Sequence, residues 1–177
     1  MNRGMVGQLN VDLENIGWQI EGERLVPAGK EVVELFFPKN TQHDAYVEIR
    51  KIIERAKDSI MVIDPYLDSF IFKLLTSAQN TKLRIYLLMS RTPPDFGQEA
   101  KKFSDQYHIP IFEIRKTSEF HDRFLIVDET YCWHIGCFIK DTGSKAFMMS
   151  KLEDEGNKSA LIRQQKHSWS NSTAMSE

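Results

Sequence analysis

A histidine and an arginine two residues apart mark the place where this sequence could do chemistry. The segment Phe120–Asp128 reads FHDRFLIVD, and alternate residues of an extended strand share one face. We therefore predict that His121 and Arg123 point to the same side of a strand, with Asp122 on the other. A guanidinium binds two oxygens of a phosphate, and a nearby imidazole can attack the phosphorus or protonate a leaving group. The alternative is that His121 and Arg123 only decorate an exposed strand edge.

Other candidate residues follow predicted strands, where ligand sites of α/β proteins gather. Asp64 and Tyr66 come directly after one apolar run, and Arg91 comes directly after the next. We expect Arg91 to be a further phosphate contact, whereas Asp64 could equally cap the helix that follows it. Asp128 lies at a turn, where it could orient an imidazole or hold the loop in place.

The elements that must position these residues are strands alternating with helices. Apolar runs predict strands at 59–64, 83–89, 109–115, 120–128 and 131–138, and the run at 31–37 is either a strand or a buried connector. Helical spacing predicts helices at 42–57, with Thr41 as its cap, at 67–78 and at 95–108. This order predicts an α/β fold, a layered mixed β-sheet flanked by helices, parallel at first and partly antiparallel later.

The two ends of the chain give weaker signals than its middle. Residues 1–40 are predicted to be an N-terminal extension that can pack on the domain, with two extended pieces around a turn at 21–23. The segment 145–152 could be strand or helix. Residues 154–177 are rich in polar residues, which predicts a short helix at 157–166 followed by a flexible tail.

Composition limits the classes of function. The sequence has 23 Lys and Arg against 25 Asp and Glu, a net charge of −2, so an anion-binding site must be local. No apolar stretch has the length of a signal peptide or a membrane span. Cys132 and Cys137 cannot form a disulfide framework, which indicates a reducing compartment, the cytoplasm. We expect no metal site, because His121 and Asp122 face opposite ways on a strand, and we expect no cofactor.

The histidine segment resembles the signature of the phospholipase D superfamily. That signature is His-x-Lys-x4-Asp, followed by a strand ending in Gly-Ser-x-x-Asn. This chain has His121-x-Arg123-x4-Asp128 and then the segment GCFIK at 136–140. Arg123, Cys137 and Lys140 replace the lysine, serine and asparagine of the family pattern. The resemblance covers residues 41–153 and is strongest to bacterial domains with an HDRFLIVD core and a following GxxxKDxG segment.

The resemblance implies a phospholipase D-like half-domain and metal-independent phosphodiester chemistry. One histidine of the family forms a phosphohistidine and a second protonates the leaving oxygen, so a chain with one motif implies a homodimer in which His121 takes both roles. Lys140 could supply an ammonium group to the phosphate pocket, or it could be a solvated loop lysine. Ser150 and Glu153 lie where the family often has a serine and an acidic residue that support the histidine.

Three functions remain open at this point. The first is a phosphodiesterase, with nucleic acid favoured over phospholipid as substrate. The second is a phosphate-recognition module for nucleic acid or a phospholipid headgroup, with little or no catalysis. The third is a regulatory domain of a larger bacterial protein, with a further domain upstream.

Overall fold

The chain divides into two compact units, Met1–Val32 and Val33–Glu177. The computed structural model describes residues 18–21, 24–27, 33–78 and 82–175. In the first unit, β1 (Trp18–Glu21) and β2 (Arg24–Pro27) form an antiparallel pair. This pair confirms the two extended pieces expected from the sequence, while residues 22 and 23 of the expected turn lie outside the described residues.

The second unit is built on a mixed β-sheet of eight described strands. These strands are β3 (Glu34–Phe37), β4 (Ser59–Ile63), β5 (Arg84–Met89), β6 (Ile111–Lys116), β7 (Arg123–Val127), β8 (Tyr131–Ile135), β9 (Phe147–Leu152) and β10 (Thr173–Ala174). Their order in the sheet is β10-β6-β5-β4-β7-β8-β9-β3. The pairs β4–β5 and β5–β6 are parallel, and the other pairs are antiparallel. The predicted α/β fold with a mixed sheet is confirmed.

Helices cover both faces of the sheet. They are α1 (Gln42–Ile53), α2 (Phe70–Leu75), α3 (Phe96–Tyr107) and α4 (Glu155–Asn171), with a 3-10 turn at Ile139–Asp141. The larger core lies between the sheet and α1, α2 and α3, and the smaller core lies under α4. No helix among the described residues is both long enough and apolar enough to cross a membrane.

Strand β7 shows how alternation divides the two cores. Leu125 and Val127 belong to the larger core, and Ile126 between them belongs to the smaller one. Arg123 therefore lies on the face of the larger core, at the start of the strand. The carboxyl edge of the sheet is the edge where β4, β5, β6 and β8 end and β7 begins. The amino edge is the opposite one, where β4 and β5 begin.

Both ends of the second unit differ from the sequence prediction. Strand β3 pairs with β9, so the boundary between the units follows residue 32 rather than residue 40. Helix α4 continues to Asn171, and β10 then pairs with β6, where a short helix and a flexible tail were predicted. The cause is tertiary packing that a polar composition does not reveal. Trp169 packs edge-on against Tyr86 with ring centroids 5.2 Å apart, and Ser168 is fully buried.

Helix α1 begins where it was predicted, but its cap differs. The Thr41 hydroxyl donates to the Pro38 carbonyl at 2.6 Å and makes no capping hydrogen bond to the helix. The Thr41 backbone N–H instead donates to the Gly143 carbonyl at 3.0 Å, which joins the start of α1 to the loop after β8.

Candidate phosphate-binding site

Asp64 connects the end of β4 to the 3-10 turn at the carboxyl edge. Its side chain is fully buried. One carboxylate oxygen accepts the backbone N–H of Tyr66 and the other accepts that of Ile139, both at 2.8 Å. The expected alternative, a cap on the next helix, is not its role, because that helix begins at Phe70 after Ser69 and has no side-chain capping hydrogen bond.

Burial raises the pKa of the Asp64 carboxyl above its ordinary value. The two backbone hydrogen bonds and the charges of Arg123 and Lys140 act in the opposite direction but do not cancel the effect of burial. The carboxylate therefore depends on its donors and on nearby cations to stay ionised. This gives a physical reason for two cationic side chains to lie at this edge.

Arg123 lies beside Asp64 because β4 and β7 are antiparallel. Phe124 is opposite Ile63, so Arg123 and Asp64 are the next neighbours beyond the paired residues. The guanidinium carbon of Arg123 is 3.9 Å from the centroid of the Phe138 ring. The side chain is half-buried, its Nε is buried without a partner, and it forms no hydrogen bond or ion pair with a described residue. A cation held by packing, with its donors unused, is suited to binding an anion.

Two aromatic rings link Arg123 to the second cation, Arg91. Tyr66 meets Phe138 edge-on with ring centroids 4.8 Å apart, and the guanidinium carbon of Arg91 is 5.5 Å from the centroid of Tyr66. We call Arg91, Tyr66, Phe138 and Arg123 the cation–aromatic row. Lys140 is exposed in the neighbouring 3-10 turn. The carboxyl edge thus brings together the predicted Asp64, Tyr66, Arg91, Arg123 and Lys140.

Phe138 is a member of this row that sequence reasoning missed. Its only signal was an aromatic residue two positions before Lys140, in a loop between strands. That signal does not reveal that the ring lies against the guanidinium of Arg123.

His121 lies next to this edge but outside the strand. Strand β7 begins at Arg123, and His121 is an exposed residue in the bend before it. The strand alternation used to orient His121 therefore does not apply to it, which corrects the reason given for that placement. His121 makes no hydrogen bond with any residue that the structure describes. Asp122 is directed elsewhere, with a carboxylate oxygen 3.9 Å from Nε2 of His134.

Asp128 lies at the amino edge, with the five residues of β7 between it and the bend that carries His121. Its carboxylate accepts the backbone N–H groups of Lys57, Asp58 and Ser59 at 2.8 to 3.2 Å. Burial alone would raise the pKa of Asp128, but these hydrogen bonds outweigh it and the pKa is lowered. Of the two predicted roles, the contacts correspond to holding the loop between α1 and β4. Asp128 is not positioned to orient the His121 imidazole of its own chain.

Among the comparisons with known proteins, the one with solved structures bears on the fold. No protein-family model matches the sequence, and no curated protein matches it. Nuc from Salmonella typhimurium, a phospholipase D family member, aligns over 83% of this chain and 99% of its own, with a TM-score of 0.62 and 16% identity. NucT from Helicobacter pylori aligns over 82% of this chain and 100% of its own, with a TM-score of 0.60 and 11% identity.

The fold is that of the phospholipase D family.

Two longer proteins share it. The phosphatidylserine synthase of Haemophilus influenzae aligns over 98% of this chain and 46% of its own, with a TM-score of 0.60 and 12% identity. The archaeal chromatin protein TrmBL2, whose structure shows a novel mode of DNA binding, aligns over 98% of this chain and 62% of its own. Its TM-score is 0.57 and its identity 14%. This chain therefore spans about half to two thirds of the length of these two proteins.

The two residues predicted to support the histidine lie elsewhere on the phospholipase D-like sheet. Ser150 in β9 is directly opposite His134 in β8. It lies on the face of the sheet that α4 covers, because its neighbour Met149 points into the larger core on the other face. Glu153 follows the end of β9 toward the amino edge and forms an ion pair with Lys151. The structure therefore does not bring Ser150 and Glu153 together with the residues of the carboxyl edge.

The two cysteines are unsuited to nucleophilic chemistry. Cys132 is buried and Cys137 is half-buried, and both are free thiols. Burial is the main reason why the pKa of each thiol is raised to about 11. Both thiols are therefore protonated at neutral pH, and a protonated thiol is a poor nucleophile. The neutral thiol of Cys137 lies close to Arg123 of the cation–aromatic row.

Proposed function

We propose that this protein is a phosphodiesterase of the phospholipase D type, with nucleic acid favoured over phospholipid as substrate. His121 is the nucleophile, and Arg123, Lys140 and Arg91 bind the phosphate. The observation that carries the proposal is the Arg123 guanidinium, which is packed on Phe138 and forms no hydrogen bond with a described residue. The family pattern around His121 and the shared fold support this proposal.

The proposed reaction has two steps and uses a homodimer. A ring nitrogen of His121 attacks phosphorus, the bond from phosphorus to the leaving oxygen breaks, and a phosphohistidine forms. The imidazolium of the second copy's His121 gives its proton to the leaving oxygen. That imidazole then takes a proton from a water molecule, which attacks phosphorus and breaks the phosphorus–nitrogen bond. Arg123 and Lys140 balance the negative charge on the non-bridging oxygens throughout.

Nucleic acid is favoured as substrate by the chemistry of the cation–aromatic row. Tyr66 and Arg91 are exposed and stacked, and single-stranded nucleic acid binds to surfaces that combine cations with aromatic faces. TrmBL2 is described as a DNA-binding protein, whereas the synthase of the same fold points to lipid chemistry. Comparing a single-stranded oligonucleotide with phosphatidylcholine vesicles, each in EDTA, would separate the two substrate classes.

The decisive experiment measures hydrolysis of bis-p-nitrophenyl phosphate in the presence of EDTA. We expect His121→Ala to lower turnover by about 100-fold or more, because it removes both the nucleophile and the proton donor. His108→Asn is the matched control, since His108 is exposed at the end of α3, at the amino edge of the sheet, and asparagine tolerates its left-handed backbone. Equal turnover of His121→Ala and the wild type would overturn the proposal.

The second candidate is a phosphate-recognition module without turnover. It is favoured by the exposed His121, for which the described residues offer no hydrogen-bond partner, because a catalytic imidazole needs a group that orients it. In that case Arg123→Ala should weaken oligonucleotide binding by about tenfold, the value of a lost charged hydrogen bond. His121→Ala should bind as the wild type does, and neither protein should hydrolyse the probe.

Such a module could serve as a regulatory domain in a larger bacterial protein of the cytoplasm. The length of TrmBL2, of which this chain covers 62%, supports that possibility by analogy.

A further inference from the structure

A cavity of about 430 Å³ lies between α4 and the sheet. It extends to the amino edge, because its lining includes Ser59 and Arg84, the first residues of β4 and β5. It is therefore separate from the cation–aromatic row, whose residues lie at the carboxyl edge. Cavities of this volume can hold a small organic ligand.

The cavity is lined by an amide that has no hydrogen-bond partner among the described residues. Gln165 in α4 is only 8% exposed and lines the cavity. Its side chain forms no hydrogen bond with a residue that the structure describes. The amide therefore has its donors and its acceptor available to the cavity, where an occupant that has both a donor and an acceptor can bind it.

Part of the cavity wall is apolar and aromatic, and the rest is polar or charged. Tyr86 and Trp169 meet edge-on, and Met61, Ile126 and Ile162 complete the apolar surface. The indole of Trp169 is held in place by Arg115, whose guanidinium carbon is 4.8 Å from the ring and whose Nη1 donates to the Trp169 carbonyl at 3.1 Å. A heteroaromatic ring matches both this lining and the Gln165 amide.

Of the described cations that line the cavity, Arg84 is the one without an acidic partner among the described residues. Lys166 pairs with Glu129 at 2.6 Å, and Arg115 lies 3.5 Å from Glu113. Arg84 is exposed, and its only side-chain hydrogen bond to the described residues runs from Nε to the Asp58 carbonyl at 3.4 Å. Its two Nη groups can therefore bind an anionic group, such as a phosphate, at the mouth.

We propose that this cavity binds a nucleoside monophosphate, with the base against Gln165, Tyr86 and Trp169 and the phosphate at Arg84. The Gln165 amide offers one donor and one acceptor side by side, the pattern with which amides bind nucleobase edges. This site is independent of the proposed phosphodiesterase chemistry and lies at the other edge of the sheet.

The test is isothermal titration of the full chain with AMP, GMP, CMP and UMP, beside ribose 5-phosphate, which lacks a base. We expect at least one nucleotide to bind at least about tenfold more tightly than ribose 5-phosphate, because the Gln165 hydrogen bonds require the base. If no nucleotide binds, or if ribose 5-phosphate binds as tightly, the proposal is overturned.

Three variants show which site is occupied. Gln165→Leu and the exposed Arg84→Ala should each weaken nucleotide binding by about tenfold. The control Gln98→Leu, at an exposed position on α3, should bind the nucleotide as the wild type does. Loss of binding in Arg123→Ala with retention in Arg84→Ala would assign the nucleotide to the phosphate site and contradict the proposal. Circular dichroism checks that each variant is folded.

Discussion

Two aspartates at opposite edges of the sheet show how surroundings decide what a carboxylate does. Asp64 follows β4 and Asp128 follows β7, and these strands are antiparallel neighbours, so the two residues lie at opposite edges. Burial dominates at Asp64 and raises its pKa, whereas three backbone N–H groups dominate at Asp128 and lower its pKa. The first carboxylate belongs to the candidate site, and the second stabilises a loop.

Replacing Asp128 should therefore destabilise the fold. We expect Asp128→Asn to lower the free energy of unfolding by about 1–3 kcal/mol, because the amide cannot accept three N–H groups as the carboxylate does. Urea unfolding measures this change, and Asp105→Asn, an exposed position on α3, is the control.

The same variant has a predictable pH dependence. The pKa of Asp128 is lower in the folded chain than in the unfolded one, so its stabilising contribution is fully present above the ordinary carboxyl range of about 4. This contribution to stability is lost as the pH falls through the pKa that Asp128 has in the folded chain. The gap in stability between the wild type and Asp128→Asn should narrow in acid, and a gap that is constant from neutral pH downward would contradict the assignment.

Arg123 offers a second test at the level of one residue, because the phospholipase D signature has a lysine at this position. Arg123→Lys keeps the charge but loses the planar group that lies on Phe138 and can bind two phosphate oxygens. We expect oligonucleotide affinity, measured by fluorescence anisotropy, to fall by about tenfold. Arg55→Lys, at an exposed position after α1, should bind as the wild type does. Unchanged affinity in Arg123→Lys would show that only the charge matters.

Among the elements, the loop from β8 to β9 has a backbone whose conformation is fixed at two points. It contains Phe138 and Lys140, and it is held at one end by Asp64 and at the other by Gly143. The Gly143 carbonyl accepts the N–H of Thr41, and its φ is +77°. A Cβ at Gly143 would lie 2.5 Å from backbone atoms of Gln42, closer than packing allows. The start of α1 thus fixes the loop that supplies two residues of the candidate site.

Gly143→Ala should consequently be costly, because it adds both left-handed strain and a backbone clash. We expect the free energy of unfolding to fall by about 1–3 kcal/mol in thermal or urea unfolding. Gly97→Ala is the matched control, because a Cβ there would meet only the end of the flexible Met175 side chain. If both variants lost the same stability, the loop would not be fixed by Gly143.

The sequence predicted elements well where one strong local signal was sufficient. The apolar runs at 59–64 and 83–89 became β4 and β5, since a strand covered on both faces needs few polar residues. The extent of α4 could not be predicted, because its polar sequence packs through a few contacts such as Trp169 on Tyr86. The contact between Phe138 and Arg123 likewise depends on a loop that returns to β7.

On the scale of the whole molecule, the net charge of the chain predicts a local anion site, and the cations at the carboxyl edge are consistent with one. The chain has a net charge of −2, so general basicity cannot attract an anion. The structure places Arg91, Arg123 and Lys140 at one edge, around a single buried carboxylate. The attraction for an anion therefore comes from these three cations. We expect added salt to weaken anion binding only by the amount that screening of a few charges produces.

The number of imidazoles sets the last requirement of the proposed mechanism. Each chain has one histidine motif, and the two-step reaction needs a nucleophile and a separate proton donor. Turnover per chain should therefore fall when the protein is diluted below the dissociation constant of the dimer. Sedimentation equilibrium measures that constant independently. Oligonucleotide binding should persist in the monomer, because one chain supplies Arg91, Arg123 and Lys140. Turnover by a species that sediments as a monomer would contradict the two-histidine mechanism.

Mixed dimers test the same requirement without dilution. An excess of His121→Ala chains, equilibrated with wild-type chains, captures the wild type in dimers that have a single motif histidine. We expect activity per wild-type chain to fall by about 100-fold as the excess grows, the range for loss of one acid–base group. An equal excess of His108→Asn chains forms dimers with both motif histidines and should add activity instead. If the two mixtures behaved alike, each chain would work alone, and His121 would need a proton donor from within its own subunit.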